Sequence, residues 1–298
     1  MEELWRAVGL ITNKRLPTEI ERQQLLTSAF DPQTANEPAA PIAKTAETLA
    51  LFRTLRRVAR QFGMSALGGH VVSMTREPSD LLTVLWLWKW SEQTDGGHPR
   101  DAELRLPVVP LFETIGDLER AADILSTLLD NPWYRGWLGA LSHRQIVMIG
   151  YSDSTKDGGY LAACWNLQRV QTDLYRVAAS RGVKLTFFHG RGGSLGRGGG
   201  PAARAILSLP TPAFDGSLRL TEQGEILAER YDDPKVAYRH LEQVISSVVV
   251  ASAQPAVPIP EAWSNRMDGF AETSFCGISS AGRASSIWAI LPSSHADY

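Results

Sequence analysis

The chain has 298 residues, of which 44% are hydrophobic and 21% are charged, and its formal net charge is −2. This length and apolar content are sufficient for a sizeable core in one large domain or in two smaller ones. Nucleic-acid-binding and membrane-surface proteins usually carry a basic excess, so the slightly acidic balance argues against both classes.

The cysteines and the N-terminus narrow the class further. Cys164 and Cys276 are too far apart in sequence to indicate a disulfide framework or a metal-ligand spacing. The N-terminal stretch MEELWRAVGL is too polar for a signal peptide, and no apolar run approaches the roughly 18 residues that a membrane span needs. We therefore expect a cytoplasmic, globular protein that contacts neither membrane nor nucleic acid.

The first predicted element is a helical segment. Residues 1–29 have the pattern of short helices, and the stretch DPQTANEPAAP at 31–41 is typical of a linker or loop. Residues 43–62 place large apolar side chains three and four positions apart, which predicts an amphipathic helix. We assign residues 1–65 to this helical segment with its linker.

Beyond residue 65, short apolar runs alternate with longer helical patterns. The strand candidates are 70–74, 106–112, 145–151, 184–188 and 217–220. The helical patterns that follow them cover 78–91, 116–129, 156–181, 201–209 and 234–253. Such alternation predicts βα units around a parallel sheet. It is the pattern of a (β/α)-barrel wall, although a closed barrel of this type has eight strands and only five are found.

Polar residues follow most of these strands, at the edge where α/β proteins place their chemistry. Glu113 and Asp153 end the second and third strands in similar positions. Two carboxylates at one edge can hold Mg²⁺ or Mn²⁺, which take few protein oxygens. The alternative is that each carboxylate caps the helix that follows it. Lys156 is either an exposed lysine or a site residue, and His189 is either a core histidine or an active-site donor.

The fourth strand runs into the glycine-rich stretch HGRGGSLGRGGG at 189–200. It fits neither the P-loop spacing nor the dinucleotide-binding spacing. Glycine N–H groups, such as those of Gly192 and Gly193, can converge on an oxyanion, and Arg191 and Arg197 can supply planar forks for phosphate or carboxylate. The alternative is a mobile loop with solvated arginines, although linkers seldom contain paired arginines. We favour an anion-binding loop.

Three long segments together resemble phosphoenolpyruvate carboxylase: GYSDSTKDGGYLAACW (150–165), FFHGRGGSLGRGGGP (188–201) and LRLTEQGEI (218–226). Supporting segments are VVSMTREPSDLL (71–82), VVPLFET (108–114) and NPWYRGW (131–137). They occur in the family's order and extend the resemblance over most of the chain. The resemblance implies a helix-rich α/β fold with an incomplete (β/α)8 TIM-type barrel of about five βα units in residues 66–275.

The resemblance also implies an activity. The family adds bicarbonate to phosphoenolpyruvate, giving oxaloacetate and phosphate, with Mg²⁺ or Mn²⁺ as the metal. By motif, Glu113 and Asp153 match its metal carboxylates and Lys156 its active-site lysine. His189 and Arg191 match groups that act on phosphate and bicarbonate, with Gly192 and Gly193 beside them. Arg197 matches an arginine used in catalysis and, in many members, in sensing aspartate. A homotetramer is the assembly that the family implies.

The sequence departs from the family at both ends. The family's Thr-Ala-His-Pro-Thr segment does not occur here, and neither do its first, second and eighth barrel strands. Residues 276–298 form a divergent tail, which a frameshift or an assembly error in the gene would explain. We therefore expect the isolated chain to be inactive. The alternatives are a non-enzymatic remnant, one piece of a split enzyme that binds phosphate-bearing ligands, or a generic phosphate-binding α/β protein.

Overall fold

The structure is a computed structural model of the 298-residue chain. It describes residues 5–6, 11, 15–28, 42–94, 98–191, 202–210, 217–222, 224–255 and 259–284. In chain order, the elements are α1 (Glu19–Ser28), α2 (Ala43–Phe62), β1 (His70–Val72), α3 (Pro78–Thr94), β2 (Val108–Phe112), α4 (Ile115–Asp130), α5 (Pro132–Gly139), β3 (Arg144–Gly150), α6 (Ser152–Ala179), β4 (Lys184–Gly190), α7 (Ala202–Leu207), β5 (Arg219–Thr221), α8 (Gly224–Tyr231), α9 (Pro234–Ala253) and α10 (Glu261–Ala284).

The strands form one parallel sheet in the order β1-β2-β3-β4-β5. In its first pair, His70 lies opposite Val108 and Val72 opposite Pro110. Every residue of β2 is buried, as expected for a strand covered on both faces. The prediction of a helix-rich α/β fold with five βα units of an incomplete (β/α)8 barrel is confirmed.

Most element boundaries agree with the sequence pattern, and α2 and α9 have the predicted bounds. Strand β1 ends two residues earlier than predicted, because the chain turns at Met74, whose φ is 50°. Helix α6 begins at Ser152, four residues before the predicted start. It is interrupted at Gly159, where φ is 79° and ψ is 169°, a backbone conformation that glycine adopts without strain.

The chain divides into two compact units. The first comprises Met1–Phe112, Arg120–Met148 and Asp173–Phe188, and the second comprises Glu113–Glu119, Ile149–Thr172 and His189–Tyr298. In the first unit, α3 packs against α1, α2 and β2. In the second unit, α9 packs against α7 and α8. Within the described ranges, no helix combines the length and the apolarity that crossing a bilayer requires.

A fully buried arginine organises the interior of the first unit. Arg56 on α2 donates from Nε to the hydroxyl of Ser91 at 3.0 Å and from Nη2 to the carbonyl oxygen of Trp88. Its guanidinium lies 4.2 Å from the centroid of the Trp88 ring and 3.5 Å from a carboxylate oxygen of Asp101. Burial lowers the pKa of Arg56, whereas the charges of Glu92 and Asp101 oppose that shift. The cation is therefore stabilised by an ion pair, an aromatic face and two hydrogen bonds.

The buried arginine gives a test of stability. We expect Arg56→Ala to lower the free energy of unfolding by about 3–5 kcal/mol, because it leaves polar partners buried without their cation. The matched control is Arg57→Ala on the same helix, where the side chain is exposed and the change should stay within about 0.5 kcal/mol. Urea unfolding followed by circular dichroism measures both, and equal losses would contradict the structural role of Arg56.

Candidate active site

Five of the predicted site residues lie in the second unit, at the carboxyl ends of three consecutive strands. Glu113 directly follows β2, Asp153 and Lys156 lie in the first turns of α6 after β3, and His189 and Arg191 lie at the end of β4 and just past it. The carboxyl ends of parallel strands share one edge of a sheet, which is the functional edge of βα folds. The three other predicted residues, Gly192, Gly193 and Arg197, lie outside the described residues.

A serine joins the ends of β2 and β3. Ser154 is fully buried, and its hydroxyl donates to the backbone oxygen of Glu113 at 2.8 Å and also contacts the carbonyl oxygen of Gly150. The two segments of the backbone are close here, since a β-carbon added at Gly150 would lie 3.2 Å from Cγ of Glu113. The glycine therefore leaves the space that the Glu113 side chain occupies, and the serine fixes the backbone from which that side chain projects.

Two further contacts extend this junction. Asp157 accepts a hydrogen bond from the backbone N–H of Ile115 at 2.9 Å, which satisfies a donor at the start of α4. A β-carbon at Gly158 would lie 2.8 Å from Cγ1 of Ile115 and 3.1 Å from Cδ2 of Phe275. Residues 150–158, which we call the β3 exit segment, are thus held against residues 113–115 at four successive points.

Helix α4 has its own N-terminal cap. Thr114 and Asp117 form a reciprocal pair, in which the backbone N–H of each donates to the side chain of the other at 3.1 Å. This is the arrangement of a capping box, with Thr114 at the N-cap. Thr114 and Asp117 therefore cap α4, which is the alternative role that the sequence left open for Glu113.

Asp153 and Lys156 form an ion pair with 2.6 Å between Oδ1 and Nζ, and both side chains are about half exposed. A pair this exposed contributes little to stability because water screens it. Asp153 also lies in the first turn of α6, where the helix dipole favours a negative charge. The structure thus brings a predicted metal ligand and the predicted catalytic lysine into direct contact.

The donor chemistry of this edge suits a hard divalent cation. Among the described residues, no group of three His, Cys, Asp or Glu side chains forms a protein-only metal cage. Mg²⁺ does not need one, because it keeps several waters and takes one or two carboxylates. Glu113 and Asp153 are two carboxylates at neighbouring strand ends, and the β3 exit segment fixes the backbone of one against that of the other. The residues present fit the metal that the resemblance implies.

His189 is an uncharged, buried imidazole. It is 4% exposed, and its Nδ1 lies 2.9 Å from the hydroxyl of Tyr151, the residue that directly follows β3. Burial, with a smaller contribution from the charge of Arg191, lowers the pKa of His189 to about 4. Burial also raises the pKa of Tyr151, although Arg191 opposes that shift. At neutral pH both groups are uncharged, and His189 would accept a proton only where a nearby negative charge raised its pKa.

Arg191 lies near charged groups that the sequence pattern did not single out as site residues. Burial lowers its pKa and the charge of Arg230 acts in the same direction, while Tyr151 and Glu222 oppose the shift. Glu222, just past β5, has a side chain that is only 8% exposed and is held by Arg230 and by Nε2 of His240 at 3.4 Å. Glu222 therefore links the end of β5 to α8 through Arg230 and to α9 through His240.

The second part of α6 is anchored to α10. Asp268 accepts hydrogen bonds from Nε1 of Trp165 at 2.7 Å and from Arg169 at 2.6 Å. Below these polar contacts lies an apolar cluster, which comprises Ala162, Trp165, Met267, Ala271 and Phe275. The C-terminal helix of the second unit therefore packs against the helix that carries the β3 exit segment.

Comparison with known proteins identifies a family that the sequence of this chain matches. A sequence model of the phosphoenolpyruvate carboxylase family matches residues 1–277. The phosphoenolpyruvate carboxylase of Shewanella oneidensis is 47% identical over 234 residues, which are 78% of this chain and 25% of the relative. That of Rhodothermus marinus is 40% identical over 262 residues, covering 85% and 28%. That of Hahella chejuensis is 44% identical over 254 residues, covering 84% and 27%. The chain thus spans about a quarter of the length of these curated relatives.

The tight packing at Gly158 yields the first prediction for this site. Gly158→Ala should lower the free energy of unfolding by about 1–3 kcal/mol, because the new methyl group would overlap Ile115. The matched control is Gly269→Ala on α10, where an added β-carbon meets nothing within 4 Å and alanine should stabilise the helix by about 0.5–1 kcal/mol. Urea unfolding measures both, and a neutral or stabilising Gly158→Ala would contradict the contact.

The buried imidazole of His189 yields the second prediction for this site. Because the pKa of His189 falls from its ordinary value of 6.5 to about 4, the unfolded chain binds a proton that the folded chain excludes between these values. The stability that the uncharged His189 side chain contributes to the folded chain is therefore fully present above pH 6.5. It is lost as the pH falls towards 4, by about 3 kcal/mol in all. His189→Gln should lose less stability than the wild type between pH 7.5 and pH 4.5.

Urea midpoints measured across that range provide the test. The control is His143→Asn, which removes an exposed imidazole at a left-handed position that asparagine tolerates. Its pH profile should follow the wild type. If the profile of His189→Gln also followed the wild type, the buried neutral imidazole would be contradicted.

Proposed function

The chain belongs to the phosphoenolpyruvate carboxylase family, and on that premise we propose that it carries the metal- and phosphate-binding part of an enzyme that carboxylates phosphoenolpyruvate with bicarbonate. The products are oxaloacetate and phosphate. One observation carries the proposal: five motif residues with the required chemistry lie in one compact unit at three consecutive strand ends. Carboxylates, a lysine, an uncharged imidazole and a guanidinium are the groups that this reaction needs.

The two carboxylates, Glu113 and Asp153, would hold the divalent metal. When bound, Mg²⁺ or Mn²⁺ supplies Lewis-acid stabilisation of the negative charge that develops on the substrate oxygens. The chain contributes a fixed backbone beneath these carboxylates, because Ser154 donates to the backbone oxygen of Glu113 and Gly150 leaves room for the Glu113 side chain. Lys156 would act beside one of these carboxylates, since its Nζ lies 2.6 Å from Oδ1 of Asp153.

The anionic substrates require positive charge at the next strand end. In the proposed reaction, bicarbonate attacks the phosphorus of phosphoenolpyruvate, and carboxyphosphate and the enolate of pyruvate form. Arg191 would bind the phosphoryl oxygens, and Arg197 with the N–H groups of Gly192 and Gly193 would complete that anion site. Positioning and electrostatic stabilisation supply most of the catalysis in phosphoryl transfer.

His189 would then act as the base. It takes the proton of carboxyphosphate, which breaks down to CO₂ and phosphate, and CO₂ adds to the enolate carbon to give oxaloacetate. An imidazole can do this only if it is uncharged beforehand, which the lowered pKa of His189 ensures, although a pKa of about 4 makes it a weak base on its own. The neighbouring dianionic phosphate would raise this pKa during the reaction, which favours the transfer.

The isolated chain is proposed to be inactive. It spans about a quarter of its relatives, and the five described strands are fewer than the eight of a closed barrel. Activity would then need the rest of the family's polypeptide, either in the same chain or as a separate piece. A cytoplasmic location and a homotetrameric assembly are proposed on the basis of the family alone.

A chimera tests this function. The 234 residues of this chain that align with the Shewanella oneidensis relative would replace their counterparts in it, and oxaloacetate formation would be measured with malate dehydrogenase. We expect Arg197→Ala to lower turnover by at least about 100-fold, the usual effect of removing a group that stabilises transition-state charge. The control is Arg204→Ala, an exposed arginine on α7, which should retain full turnover.

Two results would each contradict one part of the proposal. Unchanged turnover in Arg197→Ala would remove the anion-binding role of the glycine-rich stretch. Robust oxaloacetate formation by the purified 298-residue chain would show that the quarter-length chain suffices, contrary to the expectation of inactivity.

A further inference from the structure

The side chains of Tyr151 and His189 join the ends of two neighbouring strands. Tyr151 directly follows β3, and His189 is the second-last residue of β4. The hydroxyl of Tyr151 lies 2.9 Å from Nδ1 of His189, and the ring centroids are 6.1 Å apart with 48° between the ring planes. His189 is almost fully buried, so water does not compete for this contact. The contact engages one defined nitrogen of the imidazole.

The backbone fixes the phenol relative to the imidazole. The N–H of Tyr151 donates to the carbonyl oxygen of Gly190, the residue next to His189, at 3.3 Å. The carbonyl oxygen of Tyr151 accepts from the N–H of Thr155 at 3.2 Å and from its hydroxyl at 2.7 Å, which ties Tyr151 to the first turn of α6. Because these bonds involve no ligand, the contact with Nδ1 is part of the fold.

Two arrangements of protons are compatible with the contact between Tyr151 and His189. An uncharged imidazole carries one N–H and one nitrogen with an available lone pair, and a phenol can donate or accept. If the phenol donates to Nδ1, the imidazole proton lies on Nε2. If the phenol accepts from Nδ1–H, the lone pair lies on Nε2. The direction of this hydrogen bond therefore decides whether Nε2 of His189 can act as a base.

The proposed reaction requires the second arrangement. His189 takes a proton from the substrate in that reaction, and Tyr151 occupies Nδ1, so the proton goes to Nε2, which must be unprotonated beforehand. The imidazolium that forms carries an N–H on both nitrogens, and a phenol oxygen at Nδ1 accepts from it as well as from the neutral ring. Since a buried N–H without an acceptor costs free energy, an acceptor at Nδ1 favours the tautomer that the base needs.

We propose that Tyr151 is a positioning residue, whose hydroxyl oxygen accepts a hydrogen bond from Nδ1–H of His189 and thereby leaves the Nε2 lone pair for the substrate proton. Tyr151 acts through the imidazole and not on the substrate. The inference deepens the proposed function and rests on it, because it concerns the histidine proposed there as the base. The tautomer is a property of the chain without substrate, so it can be measured independently of activity.

Nitrogen NMR of the full 298-residue chain tests the tautomer. With ¹⁵N in the histidine rings, a long-range ¹H–¹⁵N correlation spectrum at neutral pH separates ring nitrogens that carry a proton from those that do not. His189→Gln identifies the signals of His189 by their loss. We expect a protonated Nδ1 in the wild type. In Tyr151→Phe the Nδ1–H loses its acceptor, and the ratio of the Nδ1–H form to the Nε2–H form should fall by at least about tenfold.

Tyr134→Phe is the matched control. It removes the hydroxyl of another tyrosine, which is buried in the first unit and donates to the side-chain oxygen of Gln145 at 2.6 Å. The loss of stability should be similar, whereas the tautomer of His189 should stay that of the wild type. The wild-type spectrum decides the tautomer by itself, so the test stands even where Tyr151→Phe lowers the yield of folded chain.

The chimera with the Shewanella oneidensis relative gives a second readout. We expect Tyr151→Phe to lower kcat by at least about tenfold and to leave KM for phosphoenolpyruvate within about twofold, because the tyrosine acts on the base and not on substrate binding. Tyr134→Phe should retain both values.

Three results would overturn the proposal. They are a wild-type His189 protonated on Nε2, a tautomer ratio that Tyr151→Phe leaves unchanged, and an unchanged kcat in the Tyr151→Phe chimera. None of them concerns the anion site, which Arg197→Ala tests. Conversely, an unmodified chimera without turnover would contradict the proposed function, whereas the spectrum of the chain would still decide whether Tyr151 keeps the proton of His189 on Nδ1.

Discussion

The candidate site depends on the junction that Ser154 makes between two strand ends. Its buried hydroxyl donates to the backbone oxygen of Glu113, one residue past β2, while Ser154 itself lies just past β3. This hydrogen bond is 2.8 Å long and its donor is fully buried, which leaves these strand ends little freedom to separate. Because Glu113 and Asp153 project from the two sides of this junction, the backbone on which a metal site depends is set before any metal binds.

The sequence predicted the layers of the fold and the edge of the sheet at which five of the eight predicted site residues lie. Apolar runs of strand length alternating with helical periods were sufficient for this, because those patterns are local. The sequence also contained the answer to one alternative for Glu113, since Thr114 and Asp117 have the spacing of a capping box. The start of α6 was predicted too late, because its first turn is polar and carries no apolar period.

The partners of the site residues could not be predicted in this way. Tyr151 beside His189, Asp157 beside Ile115 and Glu222 near Arg191 are pairings between strand ends that are distant in sequence. No local pattern specifies such pairs, since each depends on the strand order and on how far each strand extends. His189 is buried, as one of its two candidate roles predicted, and its Nδ1 contacts the hydroxyl of Tyr151, whereas its role as an active-site donor stays a prediction. The role of Arg197 and of its neighbouring glycines stays a prediction.

The close approach at Gly158 has a consequence for how related sequences can diverge. Ile115 and Phe275 occupy the space that a side chain at position 158 would need, although the three residues are far apart in the chain. A substitution at any of these positions is therefore tolerated or rejected according to the other two. A larger residue at 158 becomes acceptable only after 115 or 275 has become smaller, a step that first opens a cavity, whereas the reverse order first overpacks the contact. In an alignment of homologues, these three columns should covary, and the helix α10 that carries Phe275 should evolve with the candidate site rather than independently of it.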